Sequence, residues 1–543
     1  MAIYGQVDGV VTKVAANTTQ IEDGSSYYPT IIEVDEKSLN EYSIYSRIDS
    51  YQKVHFPESF DEYKKAKKRL AFDEFLYLQS LFNHSKTIYQ SEKKAFDLNI
   101  DDLFIDLFQK QIPFKLTASQ KKCIEEIYND IKKTSPMKRL LQGDVGSGKT
   151  IVAAAAVTAT IKNNKQAALM APTEVLAEQH LTSFKKYLEY FDVDIHLLTS
   201  SVKDREDIYE IIDRGDPVLI IGTHALIQDK VNFNNLGLAI IDEQQRFGVE
   251  QRKKLVDNDD FTPHQLVMTA TPIPRTTALA IYGDLELSVI DELPPGRKKI
   301  KSRVLSGGKR DNKEVYETAY EHLKNDSQIF VVCPYIEESE NSDIKAAENV
   351  FKLYRSEFKD YKVDLLHGKM KPEEKELKML QMQNGEIDIL VSTVVIEVGI
   401  DITNATLMII ESAERFGLNQ LHQLRGRVGR GEKQSECIFH ITEGKSFSKI
   451  TNDGQSRLKA IEENDDGFKL SEIDLQIRGE GKVTGTTQSG LSDLKIANLR
   501  TDYEILENSK NYFSNIQGDD LKNELFTEAK MLFPNFGKVE DST

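Results

Sequence analysis

Two series of short apolar runs, each run separated from the next by a helix-length stretch, constrain this chain more than any other feature. The first series is Arg139–Leu141, Ala167–Met170, Val218–Ile221, Leu238–Ile241 and Leu266–Met268. The second is Ile329–Val332, Val363–Leu366, Ile387–Val391, Leu407–Ile410 and Cys437–Phe439. Such runs are far too short to cross a bilayer. Bounded by helical sequence, they predict strands covered on both faces. Their alternation with helices implies parallel sheets with crossover helices, an α/β fold. The turn-rich segment 292–299 (ELPPGRKK) separates two lobes of similar architecture.

At 543 residues the chain must hold several domains, because a single core stops growing well below that length. Residues 1–54 read as a small β-rich region, with β-branched runs divided by Asp-Gly pairs at 8–9 and 23–24 that suggest hairpins. Residues 55–110 read as a helical linker, entered at Ser59 and Glu62 in a capping-box pattern and continued by Tyr63, Ala66 and Leu70 toward Phe82. The lobes occupy 111–295 and 296–450, and 451–543 is polar and helix-prone. The N-terminus lacks a basic start followed by an apolar stretch, so the cytoplasm is the expected compartment and no membrane partner is expected. Cys123, Cys333 and Cys437 are far apart, which excludes a disulfide framework and argues against a zinc ribbon. A formal net charge of −17 means that any nucleic-acid surface must be local.

Gly143-Asp144-Val145-Gly146-Ser147-Gly148-Lys149-Thr150 follows the first apolar run and precedes an alanine-rich helix, the setting of a phosphate-binding loop. Glycines let backbone N–H groups approach the β-phosphate of ATP, Lys149 supplies charge to the β- and γ-phosphates, and Thr150 supplies a hydroxyl to Mg²⁺. Asp242 and Glu243 emerge at the end of another apolar run, where a parallel sheet binds ligands. Asp242 is the candidate Mg²⁺ ligand and Glu243 the candidate base for the attacking water. Taken alone, an acidic pair at a strand end is as often a solvated loop. The P-loop upstream is what gives it meaning.

With these in place the chain resembles the superfamily 2 helicases, whose fold is a pair of tandem RecA-like lobes and whose motifs occur here in order. Ala171-Pro172-Thr173-Glu174 and Gly222-Thr223-His224-Ala225-Leu226 resemble the strand-tracking segments of the first lobe. Thr269-Ala270-Thr271-Pro272 resembles the segment coupling ATP state to DNA. In the second lobe the stretch 392–401, with Thr393, Gly399 and Asp401, and the stretch Gln423-Leu424-Arg425-Gly426-Arg427-Val428-Gly429-Arg430 match the last two motifs. Arg427 and Arg430, three apart, are expected on one helical face as arginine fingers. Upstream, Phe114 to Gln120 is similar to the adenine-recognition element, with Phe114 stacking on the ring and Gln120 pairing with its edge.

The stretches 55–79, 268–298, 426–431 and 490–506 narrow the resemblance to the RecG branch-migration helicases. The block 468–490, with Arg478 and Gln488, looks like that family's translocation hairpin. The resemblance implies an ATP- and Mg²⁺-dependent double-stranded-DNA translocase that remodels forks and Holliday junctions. It also implies a monomer, association with the nucleoid and a single-stranded-DNA-binding protein as partner. Three departures stand out. Gln245 occupies a position where the family usually has histidine, several hairpin residues differ, and only about fifty residues precede His55, so the N-terminal wedge reads as abbreviated. Tyr4, Tyr27, Tyr28, Tyr42 and Tyr45 are either remnants of a stacking surface or packing residues of a small sheet. Lys64, Lys65, Lys67, Lys68 and Arg69 are either a duplex contact or a solvated helix face. Two other functions stay open: a plain duplex translocase without junction splitting, and a non-catalytic, ATP-gated scaffold.

Overall fold

The computed structural model describes residues 19–20, 26–27 and 45–534, apart from 102, 203, 244–246, 248, 257–260, 271–284, 295–297, 335–339, 394–401, 432, 478–493, 499–501 and 517. At the N-terminus β1 (Thr19–Gln20) pairs antiparallel with β2 (Ser26–Tyr27). The chain then forms two compact units.

The larger unit, Gln90–Pro274 and Leu285–Val483, carries both lobes. In the first, β3 (Lys138–Gly143), β4 (Gln166–Met170), β5 (Asp194–Leu198), β6 (Val218–Gly222), β7 (Leu236–Asp242), β8 (His264–Thr269) and β9 (Glu286–Ile290) form a parallel sheet. Its order is β5-β6-β4-β7-β8-β3-β9. In the second, β10 (Lys301–Leu305), β11 (Gln328–Val332), β12 (Val363–Leu366), β13 (Ile389–Ser392), β14 (Ala405–Glu411) and β15 (Glu436–His440) form another. That order is β10-β15-β14-β11-β13-β12, also parallel. The continuous apolar runs follow from covering each sheet on both faces. Leu169, Leu219, Leu238 and Ile240 pack under the P-loop helix Lys149–Lys162, while Ala168, Ile220, Ala239 and Ile241 face the opposite cluster. Lobe 2 repeats the pattern, with Phe330, Leu390 and Met408 on one side and Val331, Val391 and Ile409 on the other. Because side chains alternate across a strand, only a run apolar at every position satisfies both layers. The four alanines Ala153–Ala156 let the P-loop helix lie close on its sheet, and all are fully buried.

In the smaller unit the helix expected within residues 55–110 packs on the C-terminal helices. A helix over Phe60–Glu92 buries Phe72, Phe75, Leu76 and Leu78 against Leu506, Phe513, Leu525 and Ala529 of the C-terminal helices Tyr503–Asn515 and Asp519–Leu532. Residues beyond it join lobe 1, where Leu98, Ile100, Phe104 and Phe108 enter the core. The Glu74 carboxylate accepts hydrogen bonds from the N–H groups of Lys495, Ile496 and Ala497 at 3.0, 3.0 and 2.7 Å. Arg69, read as part of a basic face, is 1% exposed. It donates to Asp73 and to the Tyr45 carbonyl at 3.0 and 3.2 Å. A buried guanidinium needs such partners, so Arg69 serves packing, whereas Lys64 and Lys65 are exposed. The helix Arg47–His55 falls almost wholly in the stretch read as β-rich, started by Ser46, whose Oγ accepts from Asp49 N. No helix among the described residues is long and apolar enough to cross a membrane. The three cysteines are buried, and burial pushes the Cys123 thiol up to about 12.

Candidate nucleotide site

The P-loop takes its shape from its glycines. Gly146 and Gly148 hold φ of +75° and +88°, a region that side chains disfavour, and a Cβ on Gly148 would strike the Gln120 amide. Gln120 reaches the loop because it belongs to a capping box. Its N donates to Thr117 Oγ1 at 3.2 Å and its Oε1 accepts from Thr117 N at 2.9 Å. Its Nε2 donates to the Ser147 carbonyl at 2.7 Å. The residue assigned to the adenine edge therefore also fastens the P-loop to the preceding helix. Phe114 stands 40% exposed and meets Tyr187 edge to face, 5.8 Å between centroids. Gly143 and Ser147 sit behind the loop, Ser147 with its side chain buried.

The helix begins at Lys149, so its first N–H groups lack intrahelical acceptors, a setting for polyphosphate. Lys149 Nζ donates to the carbonyls of Gly143 and Asp144 at 2.9 and 3.0 Å. Burial pulls its ammonium below the ordinary lysine range, Glu243, Asp242 and Asp144 pull it back up, and Arg430 adds to the depression.

Asp242 ends β7, 8% exposed. Glu243 follows in the left-handed region, φ +52°, a conformation that costs on the order of 1–3 kcal/mol for a residue with a side chain. Its N donates to the Met268 carbonyl at 3.0 Å, and its Oε1 accepts from Ala270 N at 3.3 Å. Ala270 belongs to the segment read as coupling ATP state to DNA, so the candidate base and that segment touch directly.

From lobe 2 come Arg427 and Arg430, which line the same cavity of ≈ 530 Å³ as Gln120, Lys149, Thr150, Asp242 and Glu243. That volume lies in the range of small-molecule sites. One expectation is corrected: the helix Leu418–Arg425 ends at Gly426, so the two arginines occupy the following loop and not one helical face. Gly426 abuts lobe 1, where a Cβ would stand 3.0 Å from Val145 Cβ, and Gly429 turns the chain with φ +78°. These two glycines bring the arginines to the cavity.

Sequence reasoning missed a second link between the lobes. Arg425 donates to the carbonyls of Ile461 and Asn464 at 2.8 and 2.9 Å and, through its other terminal nitrogen, to His422 Nδ1 at 3.0 Å. A guanidinium has no acceptor, so Nδ1 is the accepting nitrogen and the proton sits on Nε2. Nε2 then donates to Asp144 Oδ1 at 2.7 Å. Burial alone would raise the Asp144 carboxyl. The His422 hydrogen bond, with the Val145 N–H and Lys149, outweighs it and holds the group below the usual carboxylate range. His180 was missed as well. It lies on the helix Glu174–Leu188, whose residues Leu176, Gln179, His180, Ser183 and Tyr187 line the cavity at helical spacing. That stripe was legible in the sequence.

Four of the DNA and coupling candidates, Thr173, Thr223, Thr269 and Thr393, lie at or just beyond the C-terminal ends of strands. Thr173 caps the helix that follows β4, its Oγ1 accepting from Leu176 N. Thr223, Thr269 and Thr393 are buried, at 7%, 3% and 6% exposure. His224 is exposed beside Phe247. Gln245, Thr271, Gly399, Asp401, Arg478 and Gln488 lie outside the described residues.

Two parallel-sheet lobes, with a P-loop and an acidic strand end on one and paired arginines from the other at a common cavity, define a tandem-lobe P-loop protein of the superfamily 2 class. Family models agree: DEAD/DEAH box helicase matches 117–279 and helicase conserved C-terminal domain matches 312–432. The model of the C-terminal part of domain 3 of the ATP-dependent DNA helicase RecG matches 464–541. The chain belongs to the RecG family of ATP-dependent DNA helicases. It is 42% identical to RecG of Bacillus subtilis over 488 residues, 89% of this chain and 70% of that protein. With RecG of Synechocystis the identity is 46% over 456 residues, 83% of this chain but 54% of the relative, so the chain spans about half that protein's length. A solved structure of RecG bound to a three-way DNA junction covers 87% of this chain and 61% of its own, with TM-score 0.68 and 39% identity.

Proposed function

We propose that this chain hydrolyses ATP between its lobes and uses the cycle to translocate on double-stranded DNA, remodelling branched DNA such as stalled forks and Holliday junctions. One observation carries the reading: Lys149, Asp242 and Glu243 of lobe 1 share a cavity with Arg427 and Arg430 of lobe 2. Lys149 exchanges its two loop carbonyls for β- and γ-phosphate oxygens. Arg427 and Arg430 neutralise charge developing on the transferring phosphoryl group, a role that requires the lobes together. Glu243, fixed by Ala270 N–H, orients and deprotonates the attacking water. Thr150 and Asp242 would hold Mg²⁺. One carboxylate and one hydroxyl beside room for phosphate oxygens and water suit that ion, and it supplies charge neutralisation when bound.

Branched DNA as the substrate is supported by the similarity to a RecG solved on a three-way junction. A monomeric state, nucleoid association and a single-stranded-DNA-binding protein as partner belong to the same proposal and rest on family likeness. The test compares ATP hydrolysis by wild type and Lys149→Ala on forks, linear duplex and single strands. Turnover by wild type no greater than that of Lys149→Ala would leave only the scaffold reading, and equal stimulation by fork and linear duplex would remove branch specificity.

A further inference from the structure

We infer that His180 is a positioning residue for the metal-binding carboxylate Asp242, and that it ties this carboxylate to the helix that begins at the strand-tracking segment. The inference rests on the reading above that Asp242 holds the divalent cation. His180 Nε2 and Asp242 Oδ2 are 2.8 Å apart, and the residues are 6% and 8% exposed. A carboxylate can only accept, so Nε2 carries the proton and donates. Among the described residues this is the one hydrogen bond to the Asp242 carboxylate. It fixes Oδ2 of a residue that lines the cavity, the arrangement by which outer partners orient metal ligands. The imidazole is held in turn by Phe184, one helical turn on and fully buried, whose ring meets it near edge-on at 6.3 Å.

The helix Glu174–Leu188 makes this contact more than local. Thr173 caps its first turn, Glu174 Oε1 accepts from Ser200 N at 2.8 Å, and His180 follows seven residues after Thr173, about 10 Å along the axis at 1.5 Å per residue. One rigid element thus carries a candidate DNA contact at one end and the partner of the metal carboxylate farther along. A shift of the helix when Thr173 engages a phosphate backbone changes the His180–Asp242 geometry, and with it the hold on the cation. This gives DNA a direct route to the hydrolytic centre.

The experiment uses the full chain with ADP and Mn²⁺ as a spectroscopic stand-in for Mg²⁺, followed by electron paramagnetic resonance without turnover. In His180→Gln the amide nitrogen falls near the position of Nε2, whereas in His180→Asn it falls one bond short. His180→Asn should weaken Mn²⁺ binding about 10-fold to 100-fold, the usual effect of losing an outer-shell partner, and His180→Gln should stay close to wild type. Duplex DNA should alter Mn²⁺ affinity in wild type and not in His180→Asn. Equal weakening in both variants would mean a packing role and overturn the inference. Unchanged binding in His180→Asn, with weakening in Asp242→Asn, would remove His180 while leaving the metal reading intact. Unchanged binding in Asp242→Asn would overturn the metal reading itself.

Discussion

Removing His422 and Asp144 by alanine substitution, singly and together, isolates the hydrogen bond that joins the loop of lobe 2 to the P-loop. The bond is 2.7 Å long, its acceptor is ionised, and the side chains are only 7% and 16% exposed. Hydrogen bonds to charged groups contribute about 1.5–3 kcal/mol. Burial on both sides favours the middle of that range, so the interaction term should be about 2 kcal/mol, roughly a 30-fold change in an equilibrium constant. The assay is a double-mutant cycle on the nucleotide-free chain by urea unfolding. An interaction energy below about 0.5 kcal/mol, the scatter of independent sites, would refute the linkage. The pH dependence follows from the Asp144 carboxyl. Since the folded Asp144 carboxyl lies below its ordinary 3.8, its contribution is complete above that value and fades only as pH falls through the lower folded one. The Asp144 contribution should therefore survive mild acid and be lost only as the pH falls below 3.8.

Three further outcomes are expected. Arg427→Ala and Arg430→Ala should each lower kcat by on the order of 10³-fold or more while ADP binding changes little, because a finger acts on the transition state; parallel loss of ADP affinity would make them binding residues instead. Gly148→Ala combines a φ of +88° with a collision against the Gln120 amide, and should cost about 1–2 kcal/mol in nucleotide affinity, roughly tenfold, measured by titration with a fluorescent ADP. Glu74→Ala orphans three N–H groups and should destabilise the smaller unit by about 3 kcal/mol at roughly 1 kcal/mol each. Limited proteolysis near 495–497 reports it, and a rate equal to wild type would show that the carboxylate does not hold that segment.

The structure adds strands that the sequence reading left out. β5, β9 and β10 carried no clear apolar run, and each lies at the edge of its sheet. An interior strand such as β4 is buried at every position, whereas β10 has none of its residues buried. An edge has one neighbour and partial cover, so polar residues such as Lys301, Ser302 and Arg303 are tolerated there and the run is interrupted. β12, also an edge, was legible because Val363, Leu365 and Leu366 persist.

By itself the sequence determined the parallel α/β lobes, the P-loop and the acidic strand end, because each depends on residues close in the chain: periodicity, turn glycines and a capped helix start. Tertiary structure alone decided which distant side chains meet. His422 reaches Asp144 across 278 positions and Glu74 reaches Ala497 across 423. Arg69, in a basic run that reads as surface, is enclosed by Asp73 and the Tyr45 carbonyl. Local propensity constrains the backbone over a few residues. Partners hundreds of positions apart are set only when the layers close, since burial then demands a donor or acceptor for every polar group enclosed.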